Sequence, residues 1–316
     1  MDLVDAALER TVVPGYSKIG FRVRAAEWPD DDPAPGALIG RTVLVTGATS
    51  GIGAAIAGRV TDLGGHAVLI GRHRQRAGAV REQIVRRNPA AEVSIELADV
   101  SDLGQVRRLA GRLEQGPVDA IVHNAGVMPP ERTDSVDGHE LSLATHVLGP
   151  LLLTDLLLPR LAQSPDPRVI FMSSGGMYTT GLPVDDLQYR SGDYRGARAY
   201  ARSKRVQTAL LPLLAERWGP ADVMVAAMHP GWVDTPGVSD SLPRFARLTR
   251  PLLRSADQGA DTAVWLLATR PAPATGEFWH DRRSRRLHYR KRTEFSETER
   301  RAVWREVRAA AEMEER

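Results

Sequence analysis

The sequence predicts an α/β fold built on a parallel sheet, and three observations predict it. Short apolar, often β-branched runs alternate with helical patterns over most of the chain. A glycine-rich turn, Thr46-Gly47-Ala48-Thr49-Ser50-Gly51-Ile52-Gly53, joins the first run to the first long helical pattern. The length, 316 residues, suits one large domain of this kind or two smaller ones.

Taken in order, residues 1–40 read as an extension and linker. Residues 2–11 have helical spacing, and 28–36 form a turn-rich acidic stretch. Strands are predicted over 42–46, 67–70, 93–97, 118–122, 169–172 and 223–227, with a last short one over 276–279. Helices are predicted over 52–63, 74–87, 103–113, 141–161, 200–218 and 258–268, the fourth with a kink at Gly149-Pro150. The catalytic unit therefore spans residues 41–281 as a single domain. Residues 282–316 form a tail: a basic run, expected to be solvated, then a polar helix from about 296 to 316.

Composition excludes several functions. With no cysteine there is no disulfide framework, thiolate metal site, iron–sulfur cluster or cysteine nucleophile. No histidine–carboxylate cluster has metal-ligand spacing, so no metal is expected. Forty-two basic residues oppose 39 acids, for a net charge of +3, which is too balanced for general nucleic-acid binding. Only three of the bases are lysines, Lys18, Lys204 and Lys291, so a lysine in this chain invites the question of why arginine would not serve. The start carries Asp2, Asp5 and Glu9, unlike a signal peptide. The most apolar stretch, 147–158, is broken by Pro150 and Asp155 and falls short of the roughly 20 residues a spanning helix needs. A cytoplasmic location is expected.

The glycine turn is built for phosphate. Glycines between a strand and a helix let the backbone approach a pyrophosphate, whose charge rests on the helix N-terminus. The second strand ends in Gly71-Arg72, with no acid to hold a ribose 2′-hydroxyl, and Arg74 and Arg76 follow. Arg72 suits a 2′-phosphate, so NADP(H) is favoured over NAD(H).

Tyr200 and Lys204 lie four apart on a predicted helix, so the phenol and the ammonium share a face. A nearby ammonium stabilises phenolate and is expected to lower the tyrosine pKa. Such a tyrosine can pass a proton to or from an alcohol or carbonyl oxygen. The fifth strand ends in Ser173-Ser174-Gly175-Gly176, placing a serine hydroxyl at the same sheet edge.

Together these motifs resemble the short-chain dehydrogenase/reductase family over about residues 40–280. The resemblance implies a Rossmann-type doubly wound sheet of order 3-2-1-4-5-6-7. It makes Ser174, rather than Ser173, the substrate-binding serine beside Tyr200 and Lys204. It implies that Gly47, Thr49, Ser50, Gly51, Ile52, Gly53 and Arg72 hold the dinucleotide. Asp99 and Val100 resemble the adenine contact, and Asn124-Ala125-Gly126 follows the fourth strand. Pro230, Gly231, Val233 and Thr235 belong to a segment resembling the one that borders the nicotinamide carboxamide. Tyr200 and Lys204 also touch the cofactor in this reading. A narrower likeness is to the dehydrogenase/reductase family member 12 branch, through 173–178, 228–238, 258–262 and the N-terminal extension.

Two departures stand out. His146 occupies a position where the family commonly has asparagine, within Thr145-His146-Val147-Leu148-Gly149. Histidine can bond water and exchange protons near neutral pH. A lone histidine within a helix is usually structural, so His146 is either a member of the proton relay or a structural residue that leaves a weakened path and a slow or inactive enzyme. Ser174 and Tyr200 are also far apart for the family. The added residues, 181–198, contain Tyr189 and Tyr194, neither followed four residues on by lysine. They form either a lobe beside the substrate mouth or an inert loop.

The expected activity is reversible hydride transfer between a carbonyl and an alcohol. Residues 236–256 are expected to form a lid mixing apolar side chains with Arg244, Arg247, Arg250 and Arg254. That mixture suits a lipophilic small-molecule carbonyl or alcohol, or an ordinary solvated helix face. Membrane contact would be peripheral at most, and a homodimer through 141–161 and 200–218 is implied by resemblance only. The rival reading is a regulatory protein that keeps the nucleotide site without turnover.

Overall fold

Side chains alternate across each strand and so divide the apolar residues into two layers. On β1 (Thr42–Thr46), Leu44 faces one layer while Val43 and Val45 face the other. The computed structural model describes residues 2–116, 118–234, 247 and 249–314. Its eight-stranded sheet runs β3-β2-β1-β4-β5-β6-β7-β8. The remaining strands are β2 (His66–Gly71), β3 (Val93–Leu97), β4 (Ala120–His123), β5 (Arg168–Met172), β6 (Met224–Met228), β7 (Glu277–His280) and β8 (Arg283–Ser284).

The first seven strands pair in parallel, for example Val45 with Leu69 and Ile170 with Ala226, and give the order that was expected. Strand β8 was not foreseen. It pairs antiparallel with β7, Trp279 opposite Ser284, and lies inside the run read as a solvated tail.

Helices cover both faces. Three N-terminal helices, α1 (Asp2–Arg10), α2 (Val12–Tyr16) and α3 (Lys18–Ala25), precede the sheet. Helices α4 (Gly51–Asp62) and α5 (Arg74–Arg87) pack on the layer containing Val43. Helix α6 (Leu103–Arg112) packs on the opposite layer. A long helix follows as α7 (Leu141–Leu143), a π-helical turn over Ala144–Leu148, and α8 (Gly149–Leu161). Helix α9 (Gly196–Trp218) starts four residues earlier than expected and joins α6 and α8. Helix α10 (Ala256–Ala268) returns to α4, and α11 (Glu297–Ala310) buries Val303 and Val307 on the other face.

The expected kink is a π-turn that begins before Gly149. The Gly149 position has its own reason: a Cβ there would fall 1.8 Å from the Val100 carbonyl oxygen, so only glycine lets the helix pass the turn after β3. Helix Leu141–Leu161 is also long and apolar enough to cross a bilayer, which the reading of 147–158 alone did not show. However, 83% of its most apolar window is buried inside the fold.

The solvated tail is corrected in part, for Arg286 and residues 289–292 are exposed while Arg282 and Arg285 are not. Arg285 donates to both oxygens of Asp5, at 2.8 and 2.9 Å, and Arg282 clasps both oxygens of Asp261, at 2.9 and 2.8 Å. The N-terminal helices are equally engaged, since Arg24 and Asp5 are buried. Sequence could not show these pairs, because each joins residues far apart in the chain.

Candidate active site

The loop from β1 to α4 is a cradle that side chains would fill. Gly47 has φ of +67°, and a Cβ there would lie 2.7 Å from the Ala125 Cα. At Gly53 a Cβ would meet the Gly47 carbonyl oxygen at 2.4 Å. Asn124 fixes the shape, its Nδ2 donating to the Thr46 and Gly47 carbonyls at 3.0 and 3.3 Å. Thr46 Oγ1 accepts the N–H groups of Asn124 and Ala125 at 3.0 and 3.1 Å. Ser50, the N-cap of α4, makes no side-chain cap bond, and the first turn carries no acid. Free N–H groups and the positive end of the helix dipole thus face the cradle, which fits a pyrophosphate.

At the end of β2, Arg72, His73 and Arg76 line the same cleft. Arg72 is half exposed and pairs with Asp99 at 3.2 Å. Burial raises the Asp99 pKa, but bonds from Ser101 and then Arg72 outweigh it and hold the carboxyl below its ordinary value. His73 was not anticipated; its place directly after Arg72 was the available signal.

The cleft measures about 660 Å³ and runs from Arg72 past the cradle to Ser174, Tyr200 and Lys204. Gly47, Thr49, Ser50, Gly51, Ile52, Gly53, Asp99, Val100, Asn124, Ala125, Gly126, Pro230, Gly231 and Val233 all line it. Thr235 lies outside the described residues, as do 236–246 and 248 of the expected lid.

Ser173 completes the strand end, its N–H on the Met228 carbonyl at 2.7 Å and its hydroxyl on the Lys204 carbonyl at 3.3 Å. Ser174 instead turns to the cleft, where Oγ accepts the Gly176 N–H at 3.1 Å, and it neighbours the Tyr200 ring, both lying within 4 Å of a Cβ placed at Gly176. Lys204 Nζ donates to the Met172 carbonyl at 2.7 Å and lies 5.5 Å from the Tyr200 ring centroid. Burial pushes the Lys204 ammonium down to about 7. Burial also raises the Tyr200 phenol above its ordinary value, opposed by the neighbouring Ser174 hydroxyl. The expectation that Lys204 lowers the tyrosine pKa is therefore corrected: desolvation dominates.

The relay reading of His146 is corrected too. Its Nε2 accepts the Val127 N–H at 3.0 Å, so the proton sits on Nδ1, 2.7 Å from Ser203 Oγ. Ser203 donates in turn to the Tyr200 carbonyl at 2.8 Å. Complete burial, then the Lys204 charge, holds the imidazole well below its ordinary pKa. His146 is a neutral strut whose ring meets Tyr200 edge-on at 5.2 Å between centroids. The His146 carbonyl, within the π-turn, accepts from Gln207 Nε2 at 2.5 Å. Ser203 and Gln207 escaped notice because ordinary helix residues give no signal of this kind.

The insertion is anchored rather than loose. Tyr194 donates to Glu140 at 2.8 Å, Tyr189 donates to the Asp193 carbonyl at 2.8 Å, and Arg202 lies over the Tyr189 ring. None of residues 181–196 lines the cleft, whereas Thr179 and Ala197 on either side do.

The N-terminal extension reaches the site from behind. Trp232 donates its backbone N–H to the Tyr16 carbonyl at 2.7 Å, and the Tyr16 ring meets His229 edge-on at 4.4 Å.

Comparison with known proteins agrees with this geometry. Residues 41–244 match the short chain dehydrogenase family. Dehydrogenase/reductase SDR family member 12 of Bos taurus is 36% identical over 278 residues, covering 86% of each chain, which bears out the narrower likeness. A protein of Streptomyces sp. (strain C5) named for daunorubicin C-13 ketoreduction, DnrU, is 40% identical over 259 residues, 78% of this chain and 85% of that one. A solved structure from Beutenbergia cavernae, named as an NAD(P)-dependent gluconate 5-dehydrogenase and holding NADP, superposes with a TM-score of 0.60 at 26% identity. It covers 75% of this chain and 92% of its own. The chain belongs to the short-chain dehydrogenase/reductase family and is an oxidoreductase acting on the CH–OH/C=O pair.

Proposed function

We propose that this protein is an NADP(H)-dependent carbonyl reductase that works through Ser174, Tyr200 and Lys204. The single observation that carries the reading is one cleft that begins at a phosphate cradle and ends at Ser174, Tyr200 and the buried Lys204. When bound, the dinucleotide supplies hydride at its nicotinamide ring.

The chain's own residues supply orientation and the proton. Ser174 and Tyr200 hydroxyls converge on one oxygen, and both donate to it as negative charge develops there. Burial keeps the Tyr200 phenol protonated at neutral pH, which suits an acid in the reducing direction. Lys204 sits one turn behind with a pKa of about 7, close enough to neutrality to gain or lose a proton in that range. His146 fixes Ser203 and the Val127 backbone, and through them the start of α9.

Arg72 and Arg76 at the far end support NADP(H) over NAD(H), with Arg72 able to leave Asp99 for a 2′-phosphate. Val127, Met128 and Trp232 add apolar walls to the cleft, which suits a lipophilic ketone or aldehyde. The test is consumption of NADPH and NADH, side by side, over a panel of such carbonyls. Oxidation of NADPH with at least one of them is expected. Cofactor binding without turnover on any member would contradict the reading.

A further inference from the structure

The sequence sets residues 1–40 apart from the catalytic unit, yet one carboxylate ties them to the cofactor cleft. Asp281 is 1% exposed and holds φ of +50°, a conformation its side chain must be paid to keep. Its Oδ2 accepts from Arg24 Nη1 at 2.7 Å and from Arg254 Nη2 at 2.8 Å, and its Oδ1 accepts from Arg254 Nη1 at 2.6 Å.

Both guanidiniums then reach the same short stretch of backbone. Arg24 Nη1 donates to the Gly15 carbonyl at 2.8 Å. Arg254 donates to Gly15 and Ser17 carbonyls, each at 3.2 Å, and to the Pro230 carbonyl at 3.3 Å. Between Gly15 and Ser17, Tyr16 accepts the Trp232 N–H at 2.7 Å, and the Trp232 carbonyl accepts the Arg254 N–H at 2.7 Å. At Gly231, with φ of +79°, a Cβ would fall 2.3 Å from Arg254 Nε. The Tyr16 ring packs on His229, and a Cβ on Gly175 would lie 2.9 Å from it.

Of these, the Tyr16 and Arg254 bonds reach Pro230 and Trp232 on the wall 230–233, while Arg254 Nη2 also meets His280 Nε2 of β7 at 3.3 Å. That wall lines the cleft at the end that the family resemblance places beside the nicotinamide. We propose that residues 15–17 are a working part of the cofactor site, splinting the wall 230–233, and that Asp281 is the positioning residue that locks the splint. A loop with no regular structure of its own holds a reacting group in place only if its supports are rigid. The proposal rests on the NADP(H) reading above.

The experiment compares full-length wild type with Asp281→Asn and Tyr16→Ala, measuring Kd for NADPH and for 2′,5′-ADP. The second ligand has the phosphate and adenosine end but no nicotinamide. In both variants the NADPH Kd is expected to rise roughly tenfold while 2′,5′-ADP stays within about twofold. A merely structural role would move both ligands together. Equal losses for the two, or unchanged NADPH affinity in a folded variant, would overturn the proposal. Tyr16→Ala leaves no unpaired charge, so it decides the matter even where Asp281→Asn does not fold. Wild-type protein that binds neither ligand would overturn the cofactor reading itself, and the splint with it.

Discussion

Lys204 Nζ donates to the Met172 carbonyl at 2.7 Å from a side chain with almost no solvent contact. With the Ser173 hydroxyl on the Lys204 carbonyl, this bond links α9, which carries the tyrosine, to the end of β5, beside the serine. It also explains why lysine stands here in an arginine-rich chain. A guanidinium is larger, always charged and much harder to bury without a carboxylate.

The burial of Lys204 makes stability depend on pH. Its folded pKa, about 7, lies below its ordinary value of 10.5. Below pH 7 both folded and unfolded states carry the charge, and the folded state bears the full cost of burying it. Between 7 and 10.5 the unfolded state binds more protons, so stability from this group rises with pH. Lys204→Met should therefore be most stabilised relative to wild type below pH 7, with the gap closing as pH rises. Denaturant unfolding of the ligand-free proteins at several pH values checks this.

His146→Asn should leave the shape of the pH–rate profile unchanged, because the native imidazole stays neutral across the working range. It should destabilise the fold by about 1–3 kcal/mol, since the part-buried Val127 N–H and the buried Ser203 hydroxyl lose a partner. Steady-state kinetics against pH, alongside unfolding, separates a strut from a relay. A lost or displaced limb in the profile would restore the relay.

Arg72→Ala should raise KM for NADPH by about tenfold and leave KM for NADH nearly unchanged, as for one lost charge-assisted phosphate contact. Losing both cofactors equally would mean that Arg72 serves only to pair Asp99.

Arg285→Ala tests the ion pair that ties the tail to the N-terminal helices. Burial raises the Asp5 pKa, but bonds from Arg285 and Arg24 outweigh it and hold the carboxyl well below the carboxylate range. That depression stabilises the fold above the unfolded pKa of about 3.9 and fades as pH falls below it. Removing Arg285 should cost about 2–3 kcal/mol near neutral pH and flatten the acid limb of the stability curve. Urea midpoints between pH 3 and 7 report both effects.

The core of the fold was legible because its signals are local. Alternating strands and helices, the 47-51-53 glycines and the Tyr200–Lys204 spacing are each read from residues close together in the chain. What escaped depends on pairs distant in sequence. Arg285 looked solvated because Asp5 is 280 positions away. His146 looked like a proton carrier because its two partners, Val127 and Ser203, lie on other segments. The role of residues 15–17 was hidden for the same reason, since their bonds run from backbone oxygens to Trp232 and Arg254.

The central claim is that Tyr200 delivers the proton. Its most direct test is single-turnover reduction by Tyr200→Phe with NADPH bound, read as nicotinamide absorbance. Turnover should fall by at least about a thousandfold while the NADPH Kd stays within about twofold, the pattern of a lost general acid. Reduction at a rate near that of the wild type would contradict the account.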